Sequence, residues 1–250
     1  MSSVRVALRP AVTLCGLLIL WWAVARFTGI PPFLLPGPGA VAHELVTQYG
    51  FLLRNMLVTL VEVILGLGLG TLFGVLLALS MVFSRGLRRW LLPLLLLSQA
   101  VPVFALAPLL VLWLGFGLAS KVLMAILVIF FPVTAAFYDG LRRTEPGWLD
   151  LAHTMGASSF TILLRVRLMA ALPAFGAGLR IAAAMAPIGA ILGEWAGASE
   201  GLGYVMLNAN ARMQTDLMFA ALVLLAAMTI LLWVAVDVVL KKLLHWAPET

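Results

Sequence analysis

The residues best suited to chemistry in this sequence are ionisable side chains within long apolar segments. Glu62, Arg180 and Asp237 lie deepest in such segments. Because charges are expensive in hydrocarbon, they usually face a partner charge or a water-filled cavity. We predict that these residues either line a solute path or form structural ion pairs, for example Glu62 with Arg180. Asp237 has a further candidate partner in Lys241, one helical turn away.

A second polar group lies in the glycine-rich residues 193–204 and just beyond them. Glu194 and Glu200 lie within this stretch, at the external end of the fifth span, and Asn208 and Asn210 follow it. Polar backbone at membrane depth requires protein or water around it. The stretch therefore re-enters the membrane, forms an outer gate, contacts a solute or the binding protein of a transporter, or simply connects two spans. The candidates for a solute path are Glu62, Arg180, Glu194 and Asn208.

Catalytic and metal-binding patterns are sparse. The three histidines lie outside the apolar segments, and no His-Glu-x-x-His motif occurs. Residues 197–201 lack the strand-turn-helix setting of a serine nucleophile elbow. The single Cys15 has no disulfide partner and fits no metal-ligand spacing. An intramembrane hydrolase is thus the weaker alternative, and we expect no enzymatic activity, metal or cofactor on this chain.

The composition places the protein in a membrane. Of 250 residues, 64% are hydrophobic and 10% are charged, and the mean hydropathy is +1.13. Apolar runs long enough to cross a bilayer recur along the chain, without the period-two alternation of a barrel. We predict an all-α bundle of about six transmembrane helices in one domain, 1–250, with a short interfacial helix at 38–49. The predicted spans are 11–28, 55–83, 90–113, 119–141, 171–193 and 217–240.

The basic residues orient the spans. With the amino terminus inside, eleven Lys and Arg residues lie on the cytoplasmic side and four on the external side. Both termini are then cytoplasmic, and the net charge of +6 reflects topology rather than nucleic-acid binding. Arg5 and Arg9 before an apolar run also fit a cleaved signal peptide. Trp21 and Trp22 favour an uncleaved, anchored first span instead.

Small residues and prolines predict local features within two spans. Gly66, Gly70 and Gly74 recur at four-residue spacing, so they share one face of a helix and allow close approach of a neighbour. Packing within the subunit is favoured over a dimer contact. Pro102 and Pro108 interrupt the third span and predict a kink there.

The longest polar break on the predicted cytoplasmic side is residues 142–168. Pro146 suits the start of a short helix, Gly156 its end, and Ser158 the cap of a second helix near Phe160. The segment is either a docking element for a partner or a solvated hairpin. Residues 194–216 form the corresponding external loop.

This segment resembles the cytoplasmic loop of permease subunits of ATP-binding-cassette importers. In that loop, Glu-Ala-Ala is followed after three residues by Gly and, nine residues later, by Ile-x-Leu-Pro. Met169 replaces the expected proline, and Leu172-Pro173 follows. The positions that the resemblance assigns to ATPase coupling are Asp150, Leu151, Ala152, Gly156, Ala157, Val166 and Leu168.

Residues 35–38, 107–117 and 178–180 are similar to the branch of that family that imports sulfonates, taurine, nitrate and thiamine precursors. Residues 193–204, followed by Asn208, Asn210 and Arg212, most resemble permeases for the thiamine pyrimidine precursor. The resemblance implies a homodimer in a bacterial inner membrane, two ATPase subunits and an external binding protein. Since no G-x-x-x-x-G-K-[ST] loop is present, ATP and Mg would be held by the ATPase. Sulfonate-like or riboflavin-like solutes, and an ion-coupled transporter or channel, are the alternatives.

Overall fold

The fold is entirely helical over the described chain. The computed structural model describes the backbone of residues 2–247 and the side chains of residues 12–247, so the side chains of Arg5 and Arg9 lie outside it. The all-α prediction is confirmed. The helices are α1 (Ser2–Phe27), α2 (Pro38–Thr47), α3 (Tyr49–Phe83), α4 (Arg85–Ala100), α5 (Val103–Leu114), α6 (Leu118–Arg142), α7 (Pro146–Thr154), α8 (Ser159–Ile162), a π-helical turn (Leu163–Arg167), α9 (Leu168–Trp195), α10 (Leu202–Ala211) and α11 (Thr215–Leu243).

Four helical runs in the described chain are long and apolar enough to cross a membrane, and the bent α4–α5 pair makes a fifth if counted as one span. These five coincide with five of the six predicted spans. The remaining predicted span, 11–28, falls on α1, whose described apolar part, Val12–Phe27, is shorter. The four runs are Tyr49–Phe83, Leu118–Arg142, Ser159–Trp195 and Thr215–Leu243.

The third predicted span is broken rather than gently kinked. Between α4 and α5 the chain turns by 99°. Val101, the residue before Pro102, is extended at φ −81° and ψ 122°, as the proline ring demands of its neighbour. Pro108, by contrast, lies within α5. The predicted kink is confirmed, and Pro102 is its cause.

Helices α3, α6 and α9 form the centre of the bundle, and glycines bring α3 and α6 together. A Cβ at Gly66 would overlap the Ala125 side chain, one at Gly70 would lie 3.0 Å from a side-chain carbon of α6, and one at Gly74 would lie 2.9 Å from a backbone oxygen of α6. Gly68 has open space. The predicted glycine face is confirmed as packing within the subunit.

Replacing Gly66 by valine is therefore expected to destabilise the bundle by about 1–3 kcal/mol, the usual effect of overpacking. Thermal unfolding in detergent measures the change. Gly68→Val is the matched control, because it alters the same helix at a position that meets no neighbour within 4 Å. Equal stability losses in both variants would contradict close α3–α6 packing as the reason for the glycines.

The loops divide between two ends of the bundle. Near one end, which we call the α10 end, Arg54 of α3 pairs with Glu200 in the loop before α10. At the other, the α7 end, Phe83 of α3 lies beside His153 and Phe160. If both termini are cytoplasmic, as predicted, the α7 end faces the cytoplasm. This orientation stays a prediction.

Candidate functional site

Helices α7 and α8 form a hairpin whose turn is set by Gly156. Its φ of +78° is left-handed, a conformation that glycine adopts without a steric penalty. The Ala157 N–H donates to the Ala152 carbonyl at 3.0 Å, closing the end of α7. The Ser158 hydroxyl then accepts the Thr161 N–H at 3.2 Å and caps α8. The predicted helix, glycine turn and capped helix are confirmed.

The hairpin presents apolar side chains at the surface. No residue of α7 is buried, and Trp148, Leu151, Met155 and Phe160 are 53%, 61%, 78% and 61% exposed. Apolar groups collected at the end of a bundle mark a contact surface. We call these four residues the hairpin surface.

Five of the seven predicted coupling positions lie on the hairpin, from Asp150 to Ala157. The other two, Val166 and Leu168, lie in the π-helical turn and at the start of α9, where Leu168 packs against a buried core cluster. The π turn, which the sequence did not reveal, joins the hairpin directly to a central helix.

Beneath the α10 end lies a buried polar cluster. We use the name glutamate cluster for five residues of α3, α6 and α9: Asn55, Thr59, Glu62, Lys121 and Glu194. Lys121 Nζ lies 2.8 Å from Glu62 Oε1, and the two side chains are only 10% and 1% exposed. The suggested Glu62–Arg180 pair is wrong, because Lys121 occupies that role.

Glu194 receives several hydrogen bonds within the glutamate cluster. Its Oε1 accepts the Thr59 hydroxyl at 2.6 Å. Its Oε2 accepts the backbone N–H groups of Gly203 and Tyr204 at 2.5 and 3.3 Å. A Cβ at Gly203 would lie 2.8 Å from the same oxygen, so glycine lets the carboxylate reach the backbone.

Two further bonds tie the start of α10 to α3. The Gly201 N–H donates to Asn55 Oδ1 and the Leu202 N–H to the Thr59 hydroxyl, each at 2.8 Å. Residues 194–216, predicted as an external loop, therefore contain a helix held onto the bundle. Asn208 lies within that helix, half-buried, and donates to the Tyr204 carbonyl at 3.0 Å.

Arg180 belongs to a separate ion triad. Its Nε lies 2.7 Å from Asp237 Oδ1, and Lys241 Nζ lies 2.8 Å from Asp237 Oδ2. The predicted Asp237–Lys241 pair is confirmed, and Arg180 is the partner that the sequence did not reveal. The four candidates for a solute path thus lie in two polar clusters and in α10, and their contact with solute stays a prediction.

Within the triad, Asp237→Ala is expected to cost about 1.5–3 kcal/mol, because it deprives half-buried Arg180 of a charge-assisted hydrogen bond. Lys241→Ala is the control and is expected to cost less than about 0.5 kcal/mol, since the Lys241 side chain is largely exposed and the contact is an i,i+4 pair on one helix. Unfolding in detergent measures both. A larger effect at Lys241 would contradict this ranking.

Solved structures place this bundle in a known class. The inward-facing MetNI methionine ABC transporter matches 78% of this chain and 97% of its own, with a TM-score of 0.64 and 21% identity. The fold is thus that of the membrane subunits of ABC transporters. The chain belongs to the family described as binding-protein-dependent transport system inner membrane component, which matches residues 70–245.

The descriptions of similar proteins agree with membership of this family. A probable ABC transporter permease protein of Haemophilus influenzae is 54% identical, over 94% of this chain and 96% of its own. The formylaminopyrimidine transport permease ThiX of Halalkalibacterium halodurans is 37% identical, over 96% of each chain. The riboflavin transport system permease RibX of Chloroflexus aurantiacus is 35% identical, over 96% of this chain and 90% of its own.

The chain is therefore an integral membrane permease subunit of an ATP-driven importer. Permease subunits of this family are not themselves enzymes, since ATP hydrolysis takes place on a separate subunit. Family membership also implies a dimeric arrangement with an ATPase and a substrate-binding protein.

Proposed function

We propose that two copies of this chain form the path of a bacterial inner-membrane importer for a pyrimidine precursor of thiamine. A cytoplasmic ATPase dimer, which holds ATP and Mg, drives it, and an external binding protein delivers the solute. The observation that carries the proposal is the hairpin surface, an apolar projection at the end of a permease bundle.

The hairpin surface has the properties of a helix that docks in a groove of a partner. Its large apolar side chains protrude, while the Gly156 turn and the Ser158 cap fix its shape. Helix-in-groove recognition uses such protruding anchors. Because the π turn and α9 continue directly from α8, movement of the ATPase would reach the centre of the bundle.

Solute would pass along an exposed face of α9. Five exposed residues recur at three-, four- or seven-residue spacing and so form one stripe along this central helix. One end of the stripe opens into a cleft of about 550 Å³ beside α6 and α7, and the other into a cleft of about 310 Å³ beside α10 and α11. A second copy would supply the facing wall. The stripe comprises Ala177, Ile181, Ala184, Ile188 and Trp195.

The stripe suits a flat, nitrogen-containing ring. Trp195 is 47% exposed and offers an indole face at the 310 Å³ cleft, where stacking favours planar aromatic solutes. Relatives at 37% and 35% identity are described as permeases for formylaminopyrimidine and riboflavin, both nitrogen heterocycles. A pyrimidine precursor is our first choice, a riboflavin-like solute the second, and a taurine-, sulfonate- or nitrate-like solute the third.

Reconstituted liposomes test the proposal. The chain, its ATPase and the external binding protein are assembled, and ATP hydrolysis and solute uptake are measured with the binding protein empty or loaded with hydroxymethylpyrimidine. We expect the loaded protein to stimulate both activities. Stimulation only by a binding protein loaded with riboflavin or taurine would change the proposed substrate but would still support the importer. Solute uptake without any ATPase would overturn the importer and favour an ion-coupled transporter or channel.

The path is tested by cysteine labelling. In a Cys15→Ser background, Ala184→Cys lies on the stripe, whereas Ala183→Cys is its buried neighbour on the same helix. We expect solute to protect the thiol of the Ala184→Cys variant from a membrane-permeant maleimide in the assembled importer. If solute does not change the labelling of the Ala184→Cys variant, α9 does not line the path.

A further inference from the structure

The glutamate cluster contains two buried carboxyl groups that the transport scheme does not use. Glu62 and Glu194 are 0% and 1% exposed, and Thr59, one helical turn before Glu62 on α3, bonds Glu194 directly, so the two carboxyl groups belong to one buried cluster. From this geometry we infer that the pair is a proton-binding site, with one proton held on Glu62 and donated to Glu194. That proton keeps the start of α10 packed against α3.

The hydrogen bonds identify Glu194 as the ionised member of the pair. One hydroxyl and two backbone N–H groups donate to its oxygens, from Thr59, Gly203 and Tyr204. A carboxylate accepts at both oxygens, whereas a protonated carboxyl group has one oxygen that must donate. With donors at both oxygens, Glu194 is satisfied as a carboxylate and needs no proton of its own.

Glu62 has the complementary arrangement. Its Oε1 accepts from Lys121 Nζ at 2.8 Å, whereas its Oε2 is fully buried and has no hydrogen-bond partner. A buried oxygen without a partner is costly. A proton on Oε2 turns that atom into a donor toward the Glu194 carboxylate, so one proton satisfies the remaining polar atom of the pair.

Charge balance leads to the same assignment. The ionisable groups that face this site in the described residues are Glu62 on α3, Lys121 on α6 and Glu194 on α9, while α10 contributes backbone N–H groups. The nearby Arg54–Glu200 pair is exposed at the surface. With all three groups charged, the interior would carry an unpaired negative charge, which is strongly unfavourable. One proton makes the cluster neutral.

The site has a structural consequence for the α10 end. Asn55 and Thr59 of α3 and Glu194 of α9 together hold the backbone of residues 201–204 against these two helices. Loss of the proton would place two carboxylates in contact and push α9 and α3 apart at the point where α10 begins. The inference concerns the cluster itself and holds whichever solute is transported.

Infrared spectroscopy of the purified full-length protein, in a maltoside detergent that contains no carbonyl group, tests the inference. A protonated carboxyl group has a carbonyl stretch that a carboxylate lacks. At neutral pH we expect this band in the natural protein and its loss in Glu62→Gln. Glu200→Gln is the matched control, since it removes an exposed, ion-paired glutamate, and it should leave the band unchanged. Absence of the band, or its persistence in Glu62→Gln, would overturn the proposal.

Thermal unfolding gives a second readout that a plain ion pair would not produce. Glutamine at position 62 can accept from Lys121 and donate to Glu194, so it mimics the protonated glutamate. We expect Glu62→Gln to unfold near the natural melting temperature and to lose less stability than the natural protein as the pH is raised. A large destabilisation of Glu62→Gln at neutral pH would show instead that Glu62 is ionised and that Lys121 requires its charge.

Discussion

Replacing Gly156 by valine is expected to reduce binding-protein-stimulated transport by about tenfold or more, while membrane insertion survives. A β-branched residue is a steric outlier at the φ of +78° found here. Left-handed backbone costs an ordinary L-residue about 1–2 kcal/mol, so the hairpin would relax to another shape. Space is not the cause, because a Cβ at Gly156 meets no atom within 4 Å. ATP hydrolysis and uptake in liposomes measure the loss.

Two control variants separate backbone strain from side-chain size. Gly156→Asn tolerates left-handed backbone and should retain most transport. Gly147→Val lies on the same α7 helix, with open space and no left-handed backbone, and should have a smaller effect than Gly156→Val. Strong loss in Gly156→Asn, or none in Gly156→Val, would contradict a turn conformation as the requirement for coupling.

Replacing Glu194 by alanine is expected to cause the largest stability loss among single substitutions at the α10 end. The change leaves the N–H groups of Gly203 and Tyr204 without their acceptor in a buried site, and it leaves the Thr59 hydroxyl only its longer 3.3 Å bond to the Asn55 carbonyl. Each unpaired N–H group costs about 1–3 kcal/mol, so a total of at least about 2 kcal/mol is expected. Thermal unfolding in detergent measures it.

The same substitution should release α10. In a Cys15→Ser background, Val205→Cys reports on α10, since Val205 is 2% exposed. Glu194→Ala should raise its labelling by a water-soluble maleimide. Glu200→Ala is the control, because its pair with Arg54 is exposed and worth less than about 1 kcal/mol. Equal labelling in both variants would show that Glu194 does not hold α10.

Local features of this protein could be predicted from the sequence because each depends on residues close together in the chain. The α7–α8 hairpin follows from Pro146, Gly156 and Ser158, which start, end and cap helices irrespective of their surroundings. The break at Pro102 is likewise a property of the proline ring. Family membership could be predicted for the same reason, since the hairpin carries the matching register.

Partners between helices could be predicted less well. The spacing of Gly66, Gly70 and Gly74 identified a packing face, but only the structure shows that α6 fills it. For Glu62, the expected partner was Arg180, whereas Lys121 takes that place. A position along an apolar span indicates depth in the membrane, yet it says nothing about which neighbouring helix faces it or how each helix is rotated.

The sequence by itself determined the membrane character, the helical class, the hairpin and the family of this protein, because hydropathy, turn residues and motif register are properties of short segments. Tertiary structure alone decided how α10 packs against α3 and α9. Asn55 and Thr59 of α3 and Glu194 of α9 meet the backbone of α10, and backbone N–H groups carry no sequence signature. A buried polar cluster therefore becomes visible only when distant segments are brought together and the partner of each donor and acceptor is known.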